Sequence, residues 1–132
     1  MPITVAAPHP ERMEQFDHER LHVYQVAIEF VALAHQINAS IRGFRALKDQ
    51  LHRASTSITN NIAEGAGEFA PAEKRRFYRI ARRSAAESAA ILDTVRCCQL
   101  LDDATPLHKG RRLLLEITKM LTSLAIARKG KG

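Results

Sequence analysis

Apolar residues recur every three to four positions along most of the chain, and this period most constrains its fold. Leu47, Leu51, Ala54, Ile58 and Ile62 give the clearest example, because steps of four and three place them on one side of a helix. No stretch shows the sustained alternation of apolar and polar residues that indicates a half-buried strand. Glycine and proline fall mainly between the periodic stretches, where they interrupt helices. The sequence therefore predicts an all-α fold.

Four segments carry this period, and each has a signal at one end. The predicted helices cover about residues 17–38, 46–64, 71–101 and 106–128. Asp17 is the predicted N-cap of the first, with Phe16 and Leu21 spaced as a hydrophobic staple. Gly65 and Gly67 are predicted to end the second helix as C-caps.

The third and fourth helices begin with proline, which fits a first helical turn: Pro71 opens the third, and Thr105-Pro106 forms an N-cap and first-turn pair for the fourth. Short connections between four amphipathic helices predict an antiparallel up-down-up-down four-helix bundle. The bundle is one domain over 17–128, with a flexible lead-in at 1–16 and a basic tail at 129–132. The predicted buried residues of helices one, three and four are Leu21, Tyr24, Ile28, Val31 and His35; Phe77, Ile80, Ser84, Ser88, Ile91, Val95 and Cys98; and Leu114, Ile117, Leu121 and Leu124.

Composition narrows the class of protein. The 132 residues contain no tryptophan and only 5% aromatic residues, so the core must be aliphatic and rich in alanine. No apolar run reaches the 18 residues of a membrane span, and the N-terminal stretch lacks the pattern of a secretory signal. The neighbours Cys97 and Cys98 diverge on a helix and do not suit a disulfide. A reduced, cytoplasmic protein is expected.

The net charge of +6 is unevenly distributed along the chain. Residues 1–41 sum to −3, residues 42–83 to +6 and residues 84–132 to +3. The stretch KRRFYRIARR places its five arginines on an arc of roughly 120° of one helix, opposite the apolar stripe. Such a face either is simply solvated or binds phosphates of RNA or DNA without reading sequence. The candidate nucleic-acid-binding residues are Lys74, Arg75, Arg76, Arg79, Arg82 and Arg83.

A polar strip borders the apolar stripe of the second helix, in the stretch SITNNIAEGAGE. Its members lie on one flank of the helix, and Glu87 of the third helix is placed to reach them. A binding or catalytic site built on Asn61, Glu64 and Glu87 is one interpretation. The other is a structural network that sets helix register, and it is favoured because no activated nucleophile or convincing base accompanies the strip. The predicted structural network comprises Arg53, Ser57, Asn61, Glu64 and Glu87.

The string HERLH at His18–His22 matches the zinc-protease pattern, but it lies at a predicted helix start without a third ligand. We interpret it as a chance match, and the sequence predicts no metal site and no cofactor.

The block LKDQLHRASTSITNNIAEGAGE, followed by RRFYRIARRSAAES, resembles the four-helix bundle family encoded in intervening sequences of bacterial 23S rRNA genes, also called S23-like proteins. That family includes the accessory variability protein of diversity-generating retroelements. The resemblance extends over about residues 20–125. The second-helix motif of the family is met by Gln50, Leu51, Arg53, Ala54, Ser57, Ile58, Asn61, Ile62, Ala63, Glu64 and Gly65, and the third-helix motif by Phe77, Ile80, Ala81, Ser84 and Glu87.

Three positions depart from the family pattern. Thr59 replaces a usual proline, which predicts a less kinked second helix, while Ala66 and Glu68 replace a tyrosine and a basic residue. The resemblance implies a pentameric ring. The alanines at 85, 86, 89 and 90 fit this, because small residues permit a close subunit contact.

These observations favour a non-enzymatic, ring-forming bundle whose basic surface binds RNA or DNA. Two alternatives stay open: an oligomeric adaptor that docks an acidic protein, and an RNA-processing enzyme.

Overall fold

The computed structural model describes residues 14–126, which form one short 3-10 helix and four α-helices. The 3-10 helix spans Asp17–Arg20, and the α-helices are α1 (His22–Ala39), α2 (Arg45–Gly67), α3 (Pro71–Cys97) and α4 (Thr105–Ile126). No strand occurs within the described range. The prediction of an all-α fold is confirmed.

The four α-helices pack in sequence order around one core. α2 lies between α1 and α3, and α4 closes the arrangement by packing against both α3 and α1. Short connections at 40–44, 68–70 and 98–104 reverse the chain each time. The antiparallel up-down-up-down bundle is therefore confirmed.

The core is aliphatic, as the composition predicts. Its completely buried side chains include Ile58, Ile62, Ile117 and Leu121, and the largest of these buried side chains is Phe30. The predicted stripes of α2 and α4 face this core, although Leu47 and Leu124 at their outer ends are only half-buried. The buried faces of these two helices could be predicted because the other side of each helix is polar.

The predicted stripe of α1 is wrong, because it lies on the outward side of the helix. Ile28 and His35 are exposed, while Tyr24 and Val31 are half-buried. α1 is apolar around most of its circumference, so its periodicity fits more than one face. Contact with α2 and α4 selects the face that carries Phe30. The buried residues of α1 are Val23, Val26, Ala27, Phe30, Leu33, Ala34 and Ile37.

The predicted start of α1 is also wrong. Asp17 begins the 3-10 helix, and α1 starts only after Leu21, whose backbone is extended. The side chain that caps this short helix is Glu19, which accepts a hydrogen bond from the backbone N–H of Phe16 at 2.8 Å. No side-chain cap bond from Asp17 forms among the described residues, and Leu21 lies at the break rather than in a staple.

α3 ends four residues earlier than predicted, at Cys97. Gln99 adopts a left-handed backbone with φ 54°, which an unbranched residue tolerates better than a β-branched one. The N–H of Leu100 then donates to the carbonyl of Val95 at 3.1 Å, a bond that closes a helix C-terminus. Cys98 therefore lies at the end of α3 and is exposed instead of buried, while Ser84, Ser88, Ile91 and Val95 are buried as predicted.

α4 starts at Thr105, as the Thr105-Pro106 pair predicts, but the capping side chain precedes the pair. Asp103 accepts hydrogen bonds from the backbone N–H of Thr105 at 3.0 Å and from its hydroxyl at 2.8 Å. These bonds to Thr105, with a smaller contribution from the nearby His108, lower the pKa of Asp103 below its usual value. The predicted end of this helix at 128, most of the lead-in and the basic tail lie outside the described residues.

Gly65 is not the C-cap that the sequence predicts. α2 continues through it to Gly67, and neither residue has a positive φ. Gly65 is instead a point of close approach between α2 and α3. A Cβ atom there would lie 2.7 Å from the Cε1 atom of Tyr78, inside the contact distance of real Cβ atoms. Tyr78 is itself buried, and burial raises the pKa of its hydroxyl.

The replacement Gly65→Ala is expected to destabilise the protein by about 1–3 kcal/mol, because the added methyl group overpacks against the buried ring of Tyr78. Gly67→Ala is the matched control, since a Cβ at Gly67 meets nothing within 4 Å. Its free energy of unfolding should stay unchanged or rise by up to about 1 kcal/mol. Urea unfolding followed by circular dichroism measures both. Equal effects of the two changes would show that Tyr78 moves aside freely.

Candidate nucleic-acid interface

The basic residues of α3 share its outward face because of their spacing. Arg75, Arg79 and Arg83 follow one another at steps of four, so they form a row along the helix that rises about 6 Å per step. Arg79 and Arg83 are exposed, and Arg75 is half-buried. The opposite side of α3 carries Ala81 and Ala85, which are completely buried and hold the helix against the core. The structure thus presents these three arginines on one surface.

The other three basic residues make contacts within the bundle. Lys74 donates from Nζ to the carbonyl oxygens of Gly65 and Ala66 at 3.1 and 3.0 Å, so it binds two carbonyls at the end of α2. A lysine at this place also opposes the negative end of the α2 dipole. Lys74 therefore makes a structural contact that the sequence pattern did not indicate, and its predicted role in nucleic-acid binding stays a prediction.

Arg76 and Arg82 are held by nearby side chains. The Nε atom of Arg76 lies 3.2 Å from a carboxylate oxygen of Glu73, and its guanidinium lies 4.6 Å from the centre of the Phe77 ring. The Nε of Arg82 donates to the hydroxyl of Thr122 at 2.7 Å, which links α3 to α4. Both are exposed and keep further N–H groups for a ligand.

Arg75, Arg79 and Arg83 have no side-chain hydrogen bond or ion pair with any residue in 14–126. We call these three residues the arginine row. An arginine with no internal partner can bind phosphate oxygens without first breaking a contact.

The polar strip of α2 is divided by the fold. The Ser57 and Ser84 hydroxyls are 2.8 Å apart across the α2–α3 contact, and the Asn61 amide donates to the Ser57 carbonyl and hydroxyl at 2.8 and 3.1 Å. The structure also places Ser88 one turn further, where its hydroxyl donates to the Ser84 carbonyl at 2.9 Å. Its partner Ser84 was predicted only as a stripe residue. The sequence did contain a signal for this contact, because Ser84 is a small polar residue within an otherwise apolar stripe.

The remaining members of the predicted network are not brought into it. Arg53, Glu64 and Glu87 are exposed, and within 14–126 none of them forms a side-chain hydrogen bond or an ion pair. The predicted roles of these three residues stay predictions. The observed polar contact is the smaller set of Ser57, Asn61 and Ser84.

The two histidines of the HERLH string lie on different elements. His18 belongs to the 3-10 helix, where its ring packs edge-on against Tyr24 with centroids 4.6 Å apart. His22 begins α1, and its Nε2 is 3.4 Å from a carboxylate oxygen of Glu116. The one-helix spacing that the zinc-protease pattern requires is therefore absent from this string. Within 14–126 no group of three or more histidine, cysteine or acidic side chains is placed to hold a metal ion.

A cavity of about 340 Å³ lies between α3 and α4. Its floor is apolar, and its rim carries Arg96, His108 and the pair Asp93–Arg111, whose charged atoms are 4.0 Å apart. The lining contains no hydroxyl or thiol, so it offers no serine, threonine or cysteine nucleophile. Cys97 and Cys98 are both exposed and not bonded to each other.

Comparison with known proteins identifies the family of this chain. The family model described as 23S rRNA-intervening sequence protein matches residues 19–123, which include α1, α2, α3 and all but the last three residues of α4. The chain belongs to this family. The family description names no catalytic activity. A comparison with curated proteins finds no match. Across 14–126, every helix of this family member is too short or too polar to cross a membrane.

Ser84→Ala should destabilise the protein by about 1 kcal/mol, because it removes a partly buried hydrogen bond to Ser57. Ser123→Ala, on the exposed surface of α4, corrects for the higher helix propensity of alanine. A double-mutant cycle with Ser57→Ala should give a coupling of about 0.5–1.5 kcal/mol from urea unfolding. A coupling near zero would mean that the two hydroxyls contribute independently.

Proposed function

We propose that this member of the 23S rRNA-intervening sequence protein family is a non-enzymatic, self-assembling bundle that binds RNA or DNA without sequence preference. The arginine row is the observation that carries the proposal. Its three arginines, of which Arg79 and Arg83 are exposed and Arg75 is half-buried, recur at a helical rise of about 6 Å with no side-chain partner in residues 14–126, and this spacing suits contact with successive phosphates. No helix-turn-helix or other base-reading element occurs among the described helices, so base-specific readout is not proposed.

The basic surface is supported by the charge around it. Residues 42–83 carry a net charge of +6, and Glu73 is already paired with Arg76. Arg42 and Arg45 do not extend the arginine row, because the antiparallel packing places the start of α2 beside the end of α3. The candidate surface is therefore the N-terminal half of α3.

Self-assembly as a ring is supported by apolar surface that one chain leaves uncovered. Ile28 is 44% exposed on the outward side of α1, with Ala32 one turn further and Val31 half-buried beside it. On α3, Ala86 and Ala90 are exposed beyond the arginine row, whereas Ala85 is part of the core. A helix that is apolar on its outward side is typical of a covered surface. In a ring, several arginine rows would bind one polyanion together and so raise the overall affinity.

Non-enzymatic action is supported by the positions of the polar groups. The buried serine contact joins α2 to α3, and the exposed acidic residues Glu64 and Glu87 stand apart from any hydroxyl or thiol partner in the described chain. A cytoplasmic location is part of the proposal, since free, exposed thiols such as those of Cys97 and Cys98 persist in a reducing compartment.

Binding of a labelled RNA and a labelled DNA duplex, measured by anisotropy over a series of salt concentrations, tests the surface. The triple variant Arg75→Gln/Arg79→Gln/Arg83→Gln should bind both at least about ten-fold more weakly at low salt, and its plot of log affinity against log salt should be shallower by about two to three. Arg42→Gln/Arg45→Gln/Arg112→Gln is the control, because it removes the same charge from exposed positions elsewhere.

Equal losses in the two triple variants would indicate a diffuse charge effect and overturn the assignment to α3. Absence of nucleic-acid binding by the unmodified protein, together with salt-dependent binding of polyglutamate, would favour an adaptor for an acidic protein instead.

The mass in solution tests self-assembly. Light scattering should give a multiple of the 14.8 kDa chain, and five copies are expected for a pentameric ring. Ile28→Glu should lower that mass, because it places a charge in the apolar surface of α1. Ser123→Glu adds the same charge at an exposed polar position of α4 and should leave the mass unchanged. A monomeric unmodified protein would contradict the ring.

A further inference from the structure

Phe69 is the most exposed large apolar side chain in the described part of the protein, at 97%. It lies in the three-residue connection between α2 and α3. A phenylalanine so fully in water contributes nothing to the core, and both faces of its ring are free. The bundle therefore offers an aromatic surface with no partner in residues 14–126.

The backbone on both sides of Phe69 is anchored. The N–H of Glu68 donates to the carbonyl of Gly65 at 3.2 Å, and the N–H of Lys74 donates to the carbonyl of Ala70 at 3.0 Å. The Lys74 ammonium ties the end of α2 to the first turn of α3. Because the backbone is already ordered, binding restricts mainly the two side-chain torsions of Phe69.

The position of Phe69 relates it to the arginine row. α3 begins two residues after Phe69, and Arg75 follows Pro71 by four residues, a rise of about 6 Å along the helix axis. Arg76 and Phe77 form a cation–π pair in the same two turns. Aromatic and guanidinium groups therefore lie together at this end of α3, and they continue into Arg79 and Arg83.

We propose that Phe69 stacks on an unpaired base, so that this surface binds single-stranded nucleic acid more tightly than a duplex. The proposal rests on the proposed function, because the arginine row supplies the phosphate contacts. Proteins that bind single strands combine a positively charged track with aromatic rings on which bases stack. In a duplex the bases are already stacked on each other, so no base face is accessible to the Phe69 ring.

The charge around Phe69 favours nucleic acid over a second copy of the chain as the ligand of this surface. The segment around Phe69 carries Lys74, Arg75 and Arg76 against Glu68 and Glu73, and each copy has a net charge of +6. Two copies meeting through this end would bring like charges together, whereas a nucleic-acid strand brings the phosphates that the arginines require.

The test compares a labelled oligo(dT) strand with a blunt DNA duplex of the same length, using the full chain. Phe69→Ala should lower the affinity for the single strand by about 5- to 150-fold, which is the range expected for the loss of one base stack, and leave duplex affinity within about two-fold. Phe44→Ala is the matched control. Phe44 is also exposed, at 55%, but precedes α2 at the opposite end of the bundle. It should change neither affinity.

Phe69→Trp gives a direct readout. The chain has no tryptophan, so the substituted ring is the single indole fluorophore of each subunit. Affinity for oligo(dT) should be retained, and the indole fluorescence should be quenched when a base stacks on it.

Each other outcome overturns the inference in a different way. If Phe69→Ala binds the single strand normally while the arginine-row variant does not, the phosphate surface stands and the stacking role of Phe69 is wrong. If Phe69→Ala lowers the mass in solution, Phe69 is a subunit contact. If the unmodified protein binds neither strand nor duplex, the proposed function fails together with this inference.

Discussion

The close approach of α2 and α3 is the constraint on which the rest of the structure depends. It is possible because small residues line the contact: Gly65 faces the Tyr78 ring with no room for a Cβ, and Ala81 and Ala85 are completely buried on α3. The Ser57–Ser84 hydrogen bond lies in the same contact and satisfies two hydroxyls that water reaches poorly. Because polar partners must match as well as volumes, the pair of helices has one register, and that register determines which residues of α3 face outward.

The outward face of α3 shows how one basic segment can serve two purposes. Lys74 donates to a carbonyl at the end of α2, and Arg82 links α3 to α4. These two residues therefore stabilise the bundle and also contribute positive charge to its surface. Arg75, Arg79 and Arg83 make no such contact within the described residues, and their repulsion of one another is tolerated because they are hydrated. Membership of the 23S rRNA-intervening sequence protein family accounts for the fold, while the arginine row and Phe69 provide the chemistry from which we infer a nucleic-acid ligand.

Prediction from the sequence succeeded where one side of a helix is apolar and the other polar. The stripes of α2 and α4 are of this kind, and Ile58, Ile62, Ile117 and Leu121 are completely buried as expected. It failed on α1, which has apolar residues on more than one side, so the period alone does not identify the buried face. It also misread Gly65, because a glycine needed for close approach looks the same in sequence as one needed for a left-handed turn. Asp103 was missed as the cap of α4 because the Thr105-Pro106 pair is itself a plausible start.

The sequence by itself determined that the chain folds as a helical bundle, the starts of α2, α3 and α4 and the end of α1 to within one residue, and the concentration of positive charge on one side of α3. These follow from local period, from capping and turn chemistry, and from charge spacing along a single helix. Only the tertiary structure decided which face of α1 is buried, that Gly65 is needed for close helix contact, and which basic residues have a partner within residues 14–126. Each of these depends on atoms from another helix, and pairwise contact between distant segments leaves no periodic signal within either segment.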